Sequence, residues 1–227
     1  MEEKFTINTK TFSLKRLKHI LETKDLLPGR VILKENIDQQ FNILESAGLK
    51  SMYDLLEAIK NKKRLANFAE ENGIDIEYLT ILKREAASYI SKPARIKDIP
   101  GMDKELVGIL EENGLKNSKE YWIKMFAKKN REKFAVDNNL NSDCLTELIM
   151  LCDVLRMAGV GPLFARILLD VGLDSATKFL SFTPEETFRI VTAYLADSDY
   201  ANVKLGLKDM VYCFELAKEL PVVDLEI

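Results

Sequence analysis

The sequence predicts an all-α fold of short helical hairpins stacked in tandem, with nothing more than short extended pieces at its two ends. Three observations predict it. Strand-like alternation is nearly absent, one type of helix corner recurs, and a whole block of the chain repeats at a constant offset. With 227 residues, 47% of them hydrophobic, the chain can build a real core.

Taken in order, "KFTINTKTF" (4 to 12) alternates weakly and reads as extended. A helix comes next over 13 to 23, with Leu14, Leu17, Ile20 and Leu21 on one face and Lys15, Arg16, Lys18 and His19 on the other. With Lys24 and Arg30 these cations form the most basic stretch, which reads either as a phosphate contact or as a solvated helix face. His19 is the only histidine, so neither a catalytic triad nor a zinc site with the cysteines is available to it.

The recurring corner appears in "ILESAGLKSMYDLL" (43 to 56), "ILEENGLKNSKEYW" (109 to 122) and "LLDVGLDSATKFL" (168 to 180). In each, a helix ends on Gly48, Gly114 or Gly172, a leucine comes next, and Ser51, Ser118 or Ser175 stands ready to cap the next helix. A second motif pairs "FAEENGIDIEYLTIL" (68 to 82) with "FAVDNNLNSDCLTEL" (134 to 148), matching Phe68 with Phe134 at an offset of 66 residues. The first two Gly-Leu corners, at Gly48 and Gly114, share that offset, so a unit of this length is duplicated. The expected organisation is an N-terminal segment and helix (1 to 27), a first repeat unit (28 to 92), a second (93 to 153) and a partial third closed by a C-terminal helix (154 to 227). "SKPARIKDIPG" (91 to 101), with its two prolines, is the best boundary, and "VVDLEI" (222 to 227) reads as a second extended end.

A tighter hairpin precedes two of the corners. In the third copy it reads Leu155, Ala158, Gly159-Val160-Gly161, Ala165, Leu168; in the second, Ile96, Ile99, Pro100-Gly101-Met102-Asp103, Val107, Leu110. The first copy, "ILKENIDQQFNIL" (32 to 44), has no glycine there. An apolar helix end, a Gly-apolar-Gly turn and a small residue at the crossing resemble the helix-hairpin-helix motif. Glycines let such a backbone approach a phosphate, and the amides of the second helix point outward at the positive end of its dipole. The same turn also serves where helices only pack. Arg156 and Arg166 can add charge near the hairpin, offset by Asp153 and Asp170, while Asp103 repels phosphate in the second copy.

Taken whole, residues 12 to 223 are similar to a bacterial family of tandem helix-hairpin-helix proteins, a domain family of unknown function. The likeness rests on "FSLKRLKHILETKDLLPGR" (12 to 30), the "FAEENGI" half-repeat, "LRMAGVGPLFARILLDVGLDSATKFL" (155 to 180) and "ELAKELPVV" (215 to 223). The resemblance implies repeated short helices and a DNA role, and it supplies no catalytic residue. Such modules elsewhere clamp the DNA backbone inside repair or replication proteins, where a tethered cation can share the hairpin. That expectation attaches here to Gly159, Val160 and Gly161 alone.

Charge and the remaining motifs set the limits. The formal net charge is -3, with 12 Lys/Arg against 9 Asp/Glu over residues 1 to 63 and 7 against 12 over 151 to 227. A backbone clamp therefore depends on local patches. "KNKKR" (60 to 64) and "AKKNREK" (127 to 133) place Lys62, Lys63 and Lys128, Lys129 at matching points of the repeat, as a shared basic surface or as solubilising connectors. Tyr121 and Trp122 stand where the first copy has Leu55 and Leu56, which favours core packing over base stacking. Cys144, Cys152 and Cys213 are odd in number, lack a C-x-x-C spacing and read as small hydrophobes rather than disulfides or metal ligands. No phosphate-loop, metalloprotease or nucleophile-elbow motif occurs, and Thr183-Pro184-Glu185-Glu186 reads as a helix start. Neither a leader nor a membrane span is evident, so a cytoplasmic, non-enzymatic protein without cofactor or metal is expected. Two partner classes fit: DNA, held by its backbone without sequence preference, or another protein docked on a helical scaffold.

Overall fold

The computed structural model describes residues 1–227. It is all-α, with many short helices and no β-strand. The chain forms two compact units, one of residues Ile7–Ile90 and one of Met1–Thr6 with Ser91–Ile227.

In the unit of residues 7 to 90, α1 (Leu14–Thr23) is capped by the Ser13 hydroxyl, which accepts from the Arg16 amide, and buries Leu14, Leu17, Ile20 and Leu21. A 3-10 segment over Pro28–Lys34 leads to α2 (Ile37–Ser46), α3 (Met52–Ala58), α4 (Lys62–Asn72) and α5 (Ile76–Ser88). The other unit carries α6 (Lys104–Glu112), α7 (Ser118–Met125), α8 (Lys128–Asn138), α9 (Ser142–Val154), α10 (Pro162–Asp170), α11 (Ala176–Leu180), α12 (Pro184–Ala196) and α13 (Leu207–Ala217). There α7 packs on α8 and α9, α10 packs on α9, and α13 packs on α11 and α12.

The duplication is visible in the helix bounds themselves. Shifting α4 and α5 by 66 residues reproduces the bounds of α8 and α9, and the left-handed Gly73 falls on the left-handed Asn139. All three Gly-Leu corners close in the same way: the glycine amide bonds the next-to-last residue of the helix and the leucine amide the residue before that, as in Leu115 N–H to Leu110 O at 2.8 Å and Leu173 N–H to Leu168 O at 2.8 Å.

Two local expectations are corrected. Ser118 is not the cap of α7: Asn117 is, in a reciprocal box with Glu120, and the buried Ser118 hydroxyl instead accepts the Ala94 amide. Asn117 is also the true 66-residue counterpart of Ser51, which forms the same box with Asp54. The ends are not strands either. Glu2–Lys4 is a 3-10 turn and residues 221 to 227 have no repeating structure, because nothing offers them a ladder; isolated bridges occur only at Ser13 with Ser51 and Arg95 with Asn117. Of the cysteines, Cys152 and Cys213 are buried, whereas Cys144 is half-buried and donates to the Asn141 carbonyl.

Each unit holds one fully buried carboxylate. In the larger, Asp153 accepts from Trp122 Nε1 (3.1 Å), Arg156 Nη1 (2.5 Å) and the Ala176 amide (2.8 Å). Arg156, itself 1% exposed, lies 4.6 Å over the Trp122 ring and donates to the carbonyls of Lys4 and Pro221. In the other, Glu85 of α5 accepts from Lys24 (2.9 Å), Tyr89 (2.8 Å) and Arg30. Burial pushes the Glu85 carboxyl up, but the bonds and charge of Lys24, with Tyr89 and Arg30, outweigh it and hold its pKa below the usual 4.5.

Replacing Asp153 with Ala leaves Arg156 buried without its counter-charge and is expected to cost about 3–5 kcal/mol, read as a lower urea midpoint. A depressed folded-state pKa contributes stability that is present above the unfolded value and lost as pH falls through the folded one. Glu85 therefore steepens acid unfolding below about pH 4.5, and Glu85→Gln should flatten that limb in unfolding curves recorded against pH.

Candidate nucleic-acid interface

The third hairpin is built by consecutive turns after α9. Met157 N–H bonds Val154 O and Val160 N–H bonds Met157 O, each at 3.1 Å, while Leu155, Met157, Ala158 and Val160 are buried. The two glycines do different work. Gly159 has φ +88, and a Cβ there would lie 3.0 Å from Cys213 Sγ and 3.1 Å from the Tyr212 ring, so both backbone and packing against α13 demand glycine. Gly161 has φ -94, which any residue adopts, and a Cβ there would meet nothing within 4 Å.

Gly161 is also the N-cap of α10. No side chain caps this helix, and Pro162 has no N–H, so the amides of Leu163 and Phe164 face the open space that Gly161 leaves. Leu163 is 38% exposed, and the two nearby arginines are committed elsewhere. Arg156 is locked inside by Asp153. Arg166 donates to Pro100 O (2.9 Å) and Glu147 (2.7 Å), and its guanidinium packs 3.5 Å from where a Gly101 Cβ would stand. Both arginines are thus internal ties: Arg166 braces the Pro100-Gly101 turn, and Arg156 holds the end segments.

The second hairpin is closed to anions by its own carboxylate, and the first carries an acid that pairs with Lys18 and caps no amide. In the second copy Gly101 takes φ +79 and the Asp103 carboxylate accepts the Leu106 amide, filling the start of α6. In the first, Asn36 supplies the left-handed residue (φ 48) and Asp38 stands in the first turn of α2.

The lysines occupy equivalent helix starts. Lys62 and Lys63 are the first residues of α4, and Lys128 and Lys129 the first of α8; all four are exposed. On α1, Lys15 is exposed, Arg16 is half-buried, and Lys18 pairs with Asp38 and, at 3.6 Å, with Glu22. Lys15, Arg16, Lys18, Lys62 and Lys63 belong to one unit and Lys128, Lys129 and the hairpin to the other.

One pattern joins these positions. Eight helices, α2, α3, α5, α6, α7, α9, α12 and α13, carry Asp or Glu in their first turn, which satisfies the positive dipole end. The exceptions are α1, α4, α8, α10 and the five-residue α11. The first four are the helices on which the sequence places its basic or glycine-rich candidates. Lysine at a positive helix end is unfavourable by roughly 0.3–1 kcal/mol in isolation, so these starts are left electrostatically unsatisfied by their own residues.

Sequence reasoning missed Arg131 and Glu226. Arg131 is 1% exposed and caps the end of α7 through the Met125 (2.8 Å) and Phe126 (2.7 Å) carbonyls, yet within "AKKNREK" it looks like any surface cation. Glu226, in a stretch read as extended, reaches α8: its Oε2 accepts the Lys128 amide at 3.1 Å. No cluster of three or more His, Cys, Asp or Glu side chains forms a metal cage, and no helix is long and apolar enough to cross a membrane. Compared with protein-family models, curated proteins and solved structures, the chain matches none.

The glycines separate by substitution. Gly159→Ala is expected to cost about 1–3 kcal/mol through the positive φ and the α13 contact, whereas Gly161→Ala should stay within about 0.5 kcal/mol of the parent in denaturant melts.

Proposed function

We propose that this chain is a non-enzymatic, cytoplasmic member of the tandem helix-hairpin-helix family it resembles, and that it holds a DNA backbone without sequence preference. The observation that carries this reading is the set of four helix starts without an acid, α1, α4, α8 and α10, in a molecule whose other full-length helices all open with one. A helix start without an acid favours a phosphate oxygen through its dipole and through the amides that remain free. Those of α10 are uncapped, and those of α1, α4 and α8 are the ones left after Ser13 takes the Arg16 amide, Asn61 the Arg64 amide and Glu226 the Lys128 amide. At α10 the missing Cβ of Gly161 leaves room for the backbone of a strand to approach, while Lys62, Lys63, Lys128, Lys129, Lys15 and Arg16 supply charge at the others. Nothing in this set reads base edges, which is why no sequence preference is expected. The repeat is read as two full copies and a partial third, supported by the coincident helix bounds.

A second reading, a protein-docking scaffold, is favoured by one specific observation: Arg156 and Arg166 are consumed internally, and the residue exposed at the hairpin mouth is Leu163. On that reading the hairpin is a packing device with an apolar lip.

Fluorescence anisotropy with short single- and double-stranded DNA across a salt series tests the choice. Binding should weaken steeply with salt, and replacing Lys62 and Lys63 with Ala should lower the salt slope by about two on duplex DNA. Gly161→Asp is the decisive variant. An Asp at this extended N-cap satisfies the α10 amides and adds a few tenths of a kcal/mol to the helix, so the fold survives while affinity drops about tenfold, or about 1.4 kcal/mol. No binding at low salt overturns the DNA reading in favour of docking.

A further inference from the structure

The start of α8 is not empty: a carboxylate of the chain itself occupies it. Ala127, the N-cap residue, has no side-chain acceptor, and the acceptor comes from a residue 98 positions away, when Glu226 Oε2 takes the Lys128 amide at 3.1 Å. Lys128 Nζ reaches the Ile227 carbonyl at 3.3 Å, and Arg131 Nη2 donates to the Glu226 carbonyl. Arg131 is almost wholly buried, and its Nε has no hydrogen-bond partner. A guanidinium buried with one N–H unused is an incomplete site, since a buried donor left unpaired costs free energy that an incoming oxygen would recover.

The duplicate helix shows that this arrangement is not required to start it. At the equivalent position of α4, Asn61 stands where α8 has Ala127, and its side chain accepts the Arg64 amide locally at 3.0 Å. No acceptor from a distant segment takes an amide of the first turn of α4, whose outside hydrogen bond runs from the Arg64 guanidinium to the Glu57 carbonyl at 3.0 Å. The second copy therefore lacks the local cap, keeps both lysines, and takes an anion from a distant segment.

That segment is held unevenly. Its first half is anchored, with Pro221 O bonded by Arg156 at 2.8 Å, Val223 O by the Thr177 hydroxyl at 3.3 Å, and the Val223 side chain buried. Its last residues hold on through the polar contacts to Lys128 and Arg131, with Ile227 53% exposed. The polar contacts of residues 226 and 227 can break without disturbing those of 221 and 223.

We infer that Lys128, Lys129 and Arg131 at the start of α8 form a phosphate site, and that residues 224 to 227 are a strap which closes it, Glu226 standing where a backbone phosphate of the ligand would bind. This rests on the DNA-backbone reading for the identity of the ligand. The strap acts as a tethered competitor at an effective concentration of about millimolar. A single weak anion does not displace it, whereas a polyanion gripped at other helix starts does. In the resting molecule the start of α4 carries only its own neutral Asn61 cap, whereas the site of α8 holds a carboxylate and opens only with occupancy.

The test uses amide NMR of the whole chain with two probes, inorganic pyrophosphate and a single-stranded oligonucleotide, on the parent, Glu226→Ala and the milder Glu226→Gln. In Glu226→Ala, pyrophosphate should shift the Lys128 and Lys129 amides at concentrations that leave them unmoved in the parent, with Glu226→Gln between, and oligonucleotide affinity should rise roughly tenfold. Equal shifts at α8 in all three proteins, or none in any, overturn the strap. Opening of α8 to pyrophosphate without oligonucleotide binding keeps the strap and sinks the DNA reading. Oligonucleotide binding with α8 unchanged by either substitution does the reverse.

Discussion

The larger unit depends on a single buried ion pair. Asp153 and Arg156 lie within one turn at the end of α9, both about 1% exposed, and between them they bond α7 through Trp122, the start of α11 through Ala176, and the segments at both ends through Lys4 and Pro221. Removing two charges from water is costly, and attraction alone repays it only when the remaining donors and acceptors are also satisfied. Here nearly all are: three bonds converge on the carboxylate, and the guanidinium faces an indole ring while serving two carbonyls. The pair is therefore better understood as a register pin than as a source of stability. It fixes where the hairpin turn begins, because Arg156 cannot leave without unpairing Asp153, and it fixes the route of residues 1 to 6 and 221 to 223 over the same unit.

Long-range ties of this kind separate the features that are legible in the sequence from those that are not. The Gly-Leu corners and the 66-residue repeat can be read because each is set by local chemistry: a positive φ at Gly48, Gly114 and Gly172, and an amide that must find a carbonyl within one turn. The core role of Trp122 is legible from its alignment with Leu56. Asp153, Arg156 and Arg131, by contrast, have the composition of surface charges, and only tertiary packing shows that they are interior. Ser118 looks like a cap because serine usually is one, but Asn117 lies at the repeat offset, and the serine is needed one residue on to take the Ala94 amide. The weak alternation of the termini fails as a strand signal for lack of any sheet to join.

The repeats also show how one turn is adapted to different uses. The left-handed residue lies three positions before the second helix in two copies, at Gly101 and Gly159, whereas in the first copy Asn36 takes that conformation at the N-cap itself, one residue out of the 66-residue register. The residues at the helix start itself differ more. Asp103 closes the second copy with its own carboxylate, whereas Gly161 leaves the third open. Of the two glycines that suggest a phosphate grip, the first is demanded by its positive φ and by α13, while the second is an N-cap, a position that favours glycine, with no packing contact that requires it.

The electrostatic case turns on the same distinction between satisfied and unsatisfied helix starts. A net charge of -3 argues against a nucleic-acid partner only if the acids are free to repel one. Many are not, since Asp54, Asp75, Asp103, Glu120, Glu186 and Asp209 accept amides at helix starts, where their charge is partly offset by the dipole. The cations are distributed in the opposite sense, with Lys62, Lys63, Lys128 and Lys129 placed where the dipole adds to their field. Local fields at these starts are therefore more positive than the overall charge suggests, and they decay over about 10 Å at moderate salt. A polyanion gains from every such start that it meets, whereas an isolated small anion gains from one. The same reasoning explains why the chain would need its own carboxylate at α8, where a lysine pair, a buried arginine and no local cap coincide.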